Sequence, residues 1–159
     1  MRIRKATLRD APEILRLWKA LATHHSRYFY RGGDAFNHKK DATNIYKKFL
    51  LKQLRARNAV VFVAEDGARI AGHIMASVNK LPPILLHDRE AFVNELIVDK
   101  AYRRKGVGTG LLGATEAWAK KKKLFWLGLT VHTENQAAMS AYKKFGMMAL
   151  NVKMVKIIK

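Results

Sequence analysis

The 159-residue sequence contains no cysteine. That excludes a disulfide framework, a thiolate nucleophile and cysteine-ligated zinc or iron–sulfur centres. Acidic residues are scarce as well: 12 Asp+Glu against 31 Lys+Arg leave a formal charge of +19 with His neutral. A surface of that sign attracts nucleic acid, anionic membrane surfaces or a phosphorylated ligand, and offers little to a polycation. Long apolar runs are missing. Those present, such as residues 59–64 and 84–86, fall far short of a bilayer span. The opening Met1-Arg2-Ile3-Arg4-Lys5 has no apolar core of signal-peptide length behind it. A soluble, cytoplasmic chain is the expectation.

What is present suffices for a core: 49% of residues are hydrophobic and 27% charged, in a length suited to one domain spanning residues 1–159. Residues 2–7 alternate basic and apolar, as a half-buried strand does. Asp10 suits a helix N-cap, with Pro12 and Glu13 in the first turn and Ile14, Leu15, Leu17, Trp18 and Leu21 at helical spacing to about residue 25. Residues 28–40, with Gly32-Gly33, read as a loop. A second helix is expected over 41–57, with Ile45, Phe49, Leu50 and Leu54 on one face. The β-branched run 60–65, the turn Asp66-Gly67 and residues 70–78 predict a hairpin. Pro82-Pro83 marks a loop, and residues 91–98 a further strand. An amphipathic helix over 106–123 turns Val107, Leu111, Leu112, Thr115 and Trp118 inward. A strand over 124–131, a helix over 135–145 closed by Gly146, and a last strand region over 147–158 complete the order β-α-α-β-β-β-α-β-α-β. Trp18, Trp118 and Trp126 read as core.

The chemistry concentrates in residues 96–112, Leu96-Ile97-Val98-Asp99-Lys100-Ala101-Tyr102-Arg103-Arg104-Lys105-Gly106-Val107-Gly108-Thr109-Gly110-Leu111-Leu112. A strand ends, a basic loop follows, and glycines open a helix. N–H groups unpaired at a helix start converge there with the positive end of its dipole. Glycine lets a pyrophosphate reach the backbone, and Arg103, Arg104 and Lys105 add charge. Gly108-Thr109-Gly110-Leu111-Leu112-Gly113 also matches G-x-G-x-x-G. A dinucleotide loop, however, follows its strand almost directly and opens a longer βαβ fold than the remaining chain can supply.

The spacing Arg103-x-x-Gly106-x-Gly108 resembles the acyl-coenzyme-A pyrophosphate loop of the GCN5-related N-acetyltransferases. Downstream, Asn135, Ala138, Tyr142 and Phe145-Gly146 resemble the same family's next motif. The two blocks cover roughly residues 92–147. Gly110 stands where the family usually carries Ala or Ser, and Met147 where Phe is common. The resemblance implies an α/β fold: a mixed sheet of six to seven strands with a splayed parallel pair, flanked by about four helices. It also implies acetyl-coenzyme A as cosubstrate, lying in the splay. The backbone of Ile97 and Val98 would pair with its pantetheine arm, and residues 103–109 (Arg103, Arg104, Lys105, Gly106, Val107, Gly108, Thr109) would hold the pyrophosphate. Asn135 would bond the arm from the other side. A backbone N–H near residues 96–98 would stabilise the oxyanion. Dimers are common in this family.

The implied reaction is attack of a primary amine on the thioester in a ternary complex. A lysine-type amine has a pKa of about 10.4, so neutralising it at pH 7 costs roughly 4 to 5 kcal/mol. A base or desolvation must therefore help. Tyr142 holds the family position of the proton donor to the leaving thiolate, and Glu95 is the acidic residue nearest the thioester in sequence. Strand alternation sets Asn94 and Glu95 on opposite faces without saying which meets substrate. Glu90 and His73 are secondary candidates, His73 reading first as a structural histidine in an apolar strand. Tyr142 can equally be a core aromatic, Asn135 merely an N-cap, and Lys120-Lys121-Lys122-Lys123 a dipole-favoured helix end. Adjacent His24-His25 do not share a helical face, and no metal is expected. The competing reading is a basic nucleic-acid-binding module on a silent acetyltransferase-like shell, binding by counterion release. The amine itself is not written in the sequence.

Overall fold

A computed structural model describes residues 1–25, 38–154 and 156. The loop expected over 28–40 therefore lies outside the described residues up to position 37, as do the side chains of His24 and His25. Among these residues, five strands and four α-helices follow one another: β1 (Arg2–Lys5), α1 (Ala11–His25), α2 (Ala42–Arg55), β2 (Ala59–Asp66), β3 (Arg69–Lys80), β4 (Arg89–Val98), α3 (Val107–Lys121), β5 (Trp126–Leu129) and α4 (Gln136–Lys144). The sheet runs in sequence order, β1-β2-β3-β4-β5. Its first three pairings are antiparallel and the last is parallel. The sheet is thus the expected mixed one, though with five strands among the described residues rather than six to seven. Residues 147–154 take no strand conformation. Their apolar side chains Met148, Leu150, Val152 and Met154 are exposed rather than laid on a sheet.

The sheet divides two cores. On one face α1 and α2 bring Ile14, Leu17, Tyr46 and Leu50 against Val61, Val63, Met75 and Ile97. On the other, α3 brings Val107, Leu111 and Leu112 against Val60, Ala64, Ile74 and Val93. Each large aliphatic side chain buried this way contributes about 1.5–3 kcal/mol.

Three sequence expectations shift locally. Asp10 does not cap α1. It closes a preceding 3-10 turn (Leu8–Asp10), where its Oδ2 accepts the Thr7 N–H at 2.7 Å and both its oxygens receive the Arg4 guanidinium at 2.8 and 2.9 Å. A bidentate arginine outcompetes one capping bond. In α2 the buried stripe is Tyr46 and Leu50, while Ile45 and Phe49 stay 49% and 40% exposed. The helix is rolled by about one residue from its apolar pattern, because the Tyr46 hydroxyl finds a partner inside. Trp126, at the edge of the sheet, is 48% exposed rather than core.

Candidate active site

The β3–β4 ladder loses a step between Met75 and Ala76: Met75 faces Glu95 and Ala76 faces Val93, which leaves Asn94 as the extra residue of a β-bulge. Upstream of it the odd-numbered Val93 belongs to the α3 core; downstream the odd-numbered Ile97 belongs to the α1/α2 core. The bulge therefore reverses the faces, and Glu95 turns toward α1 and α2.

There Glu95 meets two donors. The Tyr46 hydroxyl, from α2, donates to its Oε1 at 2.5 Å, and His73 Nε2, from β3, lies 2.5 Å from the same oxygen. With Glu95 ionised and acceptor-only, Nε2 is the protonated ring nitrogen. The Glu95 side chain is 14% exposed and that of His73 fully covered. Among the described residues His73 Nδ1 is buried without a hydrogen-bond partner. Burial, followed by the neighbouring Glu95 charge, pushes the Tyr46 phenol far up, so it stays a protonated donor. His73 is thus a buried strand histidine held to Glu95. Tyr46 was missed by sequence reasoning, although its spacing of four from both Ala42 and Leu50 carried the signal.

The parallel β4–β5 pairing spans only Glu90–Val93 against Trp126–Leu129. Beyond it β5 ends while β4 continues through Asn94, Glu95, Leu96, Ile97 and Val98. Among the described residues, the edge of β4 facing away from β3 has no strand partner just where the bulge lies. Glu90, on the paired part, is half-buried, and burial raises its carboxyl.

At the end of β4, Asp99 ties the loop down. Its N–H donates to the Ala71 carbonyl at 2.8 Å, its Oδ1 accepts from Ala101 N at 3.1 Å, and Arg16 reaches its Oδ2 at 3.2 Å. Burial opposes ionisation of Asp99, but the Ala101 N–H and the Arg16 guanidinium together hold it below the ordinary carboxylate range. A 3-10 turn (Lys100–Tyr102) follows. Arg104 (φ 60°) and Gly106 (φ 78°) then take left-handed conformations on either side of Lys105. The first bond of α3 runs from Gly110 N to Gly106 O at 2.9 Å, so the N–H groups of Val107, Gly108 and Thr109 have no acceptor within the helix. These three amides, at a dipole's positive end, suit the oxygens of a diphosphate. A Cβ built on Gly106 meets nothing within 4 Å, so the approach is open.

The basic side chains are placed less simply than the sequence suggested. Arg103 Nε donates to the Val98 carbonyl at 3.2 Å, bracing the strand end, and Lys105 Nζ stands 5.5 Å above the Tyr102 ring. Asn135 caps α4, its Oδ1 accepting from Ala138 N at 3.2 Å. Tyr142 is half-buried and packs against the α3-side core, together with Leu96 and Val98. Burial raises its phenol, keeping it protonated at neutral pH. Tyr142 and Glu95 therefore sit on opposite faces of β4, with the parting of the strands beside them.

The chain belongs to the acetyltransferase (GNAT) family, whose model matches residues 17–147. It is similar to an uncharacterized N-acetyltransferase of Methanocaldococcus jannaschii, 29% identical over 91% of this chain. The match spans 59% of that relative's length. It also resembles an N-alpha-acetyltransferase of Sulfurisphaera tokodaii, 27% identical over 95% of this chain and 82% of the relative. Among solved structures, a Clostridium acetobutylicum protein described as a predicted acetyltransferase, with acetyl-CoA, has the same fold. Its TM-score is 0.78 at 16% identity, covering 98% of this chain and 95% of that one.

Proposed function

We propose that this protein is an acetyl-coenzyme-A-dependent N-acetyltransferase acting on a primary amine in a ternary complex. One observation carries the reading: the β4 edge at residues 94–98, without a strand partner among the described residues, adjoins the glycine-opened α3 terminus on one side and the Glu95 carboxylate on the other. A long thioester laid along that edge would run from a diphosphate grip to a base.

The N–H groups of Val107, Gly108 and Thr109 would hold the pyrophosphate, with Arg103, Arg104 and Lys105 supplying charge around it. The main chain of Ile97 and Val98 would pair with the pantetheine amides, and Asn135 would bond the arm from α4. A backbone N–H at the Asn94 bulge or just after it, within 94–98, would face the carbonyl oxygen as negative charge develops there. Glu95 would receive a proton from the arriving ammonium through Oε2, since Oε1 already accepts from Tyr46 and His73. The amine nitrogen then bonds to the acetyl carbon and the carbon–sulfur bond breaks. Tyr142 gives its proton to the thiolate and recovers one from the nitrogen by way of solvent. The products are an amide, free coenzyme A and one proton. A free thiol has a pKa of about 8.5, so the leaving group needs only this modest help.

A thiol-release assay with acetyl-CoA over a panel of primary amines tests the reading, with Glu95→Gln and Tyr142→Phe alongside. Amine-dependent release that falls at least tenfold in each variant is expected. Wild-type turnover in either variant would remove that residue from the reaction. Failure of acetyl-CoA to raise the melting temperature at 200 mM salt, where an oligonucleotide succeeds, would favour the basic-module reading instead.

A further inference from the structure

Tyr46 has a second neighbour besides Glu95. Its ring lies 4.3 Å from that of Trp18, nearly parallel at 12°, and Trp18 in turn stacks on His38 at 5.5 Å. The Phe49 ring stands 6.4 Å from Tyr46 at a tilt of 50°. These rings, with Ile45 and Lys39, line a hollow of about 350 Å³ between α1 and α2. Ligand pockets of roughly 300–1,000 Å³ take small organic molecules. Ile45 and Phe49 are among the large apolar side chains left exposed, and here they converge on one concavity instead of scattering singly.

We propose that this hollow is the acceptor seat and that it selects a primary amine borne on a flat aromatic body. The inference rests on the acetyl-transfer reading above and adds the substrate class. Tyr46 joins hollow to base: its ring is a wall, and its hydroxyl touches Glu95. An amine whose ring rests against Trp18 and Phe49 would extend its nitrogen along the Tyr46 ring toward Glu95. Ring stacking favours the body by about 0.5–1.5 kcal/mol beyond the area buried, and the carboxylate complements the ammonium. A polycation finds the opposite conditions. Of the charged side chains, Lys39 alone lines the hollow among the described residues, and Glu95 beyond Tyr46 can neutralise only one positive charge. Among the described residues of the lining, further ammonium groups would meet the like charge of Lys39 and no carboxylate.

The test is thiol release by the whole protein with acetyl-CoA and phenethylamine, spermidine or kanamycin, together with calorimetric binding of acetyl-CoA alone. Phenethylamine is expected to show kcat/KM at least tenfold above both polycations. Phe49→Ala and Ile45→Ser, both at exposed positions, should raise KM for phenethylamine about tenfold while the dissociation constant of acetyl-CoA stays at its wild-type value. Equal or better turnover of spermidine or kanamycin overturns the proposal and leaves acetyl transfer standing, as does an unaltered KM in both variants. Binding of acetyl-CoA without turnover of phenethylamine also overturns it. Absence of acetyl-CoA binding fails the underlying reading and this one with it.

Discussion

Gly72 faces the main chain of Ile97 so closely that a Cβ built on it would stand 2.8 Å from the Ile97 carbonyl oxygen and 3.3 Å from the Val98 Cα. Neither atom is the free end of a side chain, so a methyl group must push β3 and β4 apart. Gly72 neighbours His73 and pairs with Val98, so the displacement lands between the candidate base and the coenzyme edge. Gly72→Ala is expected to destabilise the protein by roughly 1–3 kcal/mol and to lower kcat/KM more than tenfold. Urea unfolding and thiol release on the same preparation check both.

Gly106 poses the opposite situation. There is space for a side chain, but its φ of 78° is a left-handed conformation. Gly106→Ala should cost about 1–2 kcal/mol through backbone conformation alone. It should also raise the acetyl-CoA dissociation constant severalfold by disturbing the N–H groups that follow. An unchanged dissociation constant, read by calorimetry, would show that the α3 terminus does not grip the diphosphate.

At Gly110 the obstruction is soft. A Cβ would approach Ile3 Cδ1 to 2.6 Å, but that atom ends a partly exposed side chain that can turn aside. Alanine in a helix interior gains about 0.8–1 kcal/mol over glycine. The double variant Ile3→Val/Gly110→Ala, which removes the obstructing methyl, should therefore melt higher than Ile3→Val alone. A lower melting temperature would show that α3 and β1 cannot accept the added group.

The Arg4–Asp10 pair makes stability depend on acidity. The Arg4 hydrogen bonds, opposed by burial and aided by Thr7, pull the Asp10 carboxyl from 3.8 down to about 2. A carboxyl depressed in the folded state binds its proton more tightly when unfolded, so its contribution is complete above pH 3.8 and drains away as pH falls through about 2. The loss is on the order of 2 kcal/mol. Asp10→Asn should be less stable at pH 6 and show a flatter stability profile between pH 5 and pH 2, measured by denaturant unfolding. A profile as steep as the wild type's would move the acid-labile contact elsewhere.

Much of this was legible in the sequence because it depends on local chemistry. The hairpin turn at Asp66-Gly67, the Gly106 start of α3, the Asn135 cap and the buried positions Val107, Leu111, Leu112 and Thr115 follow from residue type and period. What escaped depends on partners far along the chain. Tyr46 shares the helical spacing of Ala42 and Leu50, but the carboxylate it turns toward lies 49 positions away, a partner that no helical period names. Asp10 abandons its cap for Arg4. The Asn94 bulge inserts one residue without any glycine or proline to announce it, so alternation could not place Glu95. The apolar run after Gly146 carries a strand's pattern, yet residues 147–154 hold no strand. A β pattern requires an edge to pair with, and composition does not supply one.

The supernumerary residue at Asn94 makes the reactive face a matter of parity. Side chains along β4 alternate, so drawing Asn94 into the ladder as an ordinary pair would carry Glu95 to the α3 layer, away from Tyr46 and His73. Excising it would leave Glu95 opposite Met75 as now and remove only the kink. The irregularity lets odd positions before it and even positions after it share one layer, a freedom that a uniform ladder withholds.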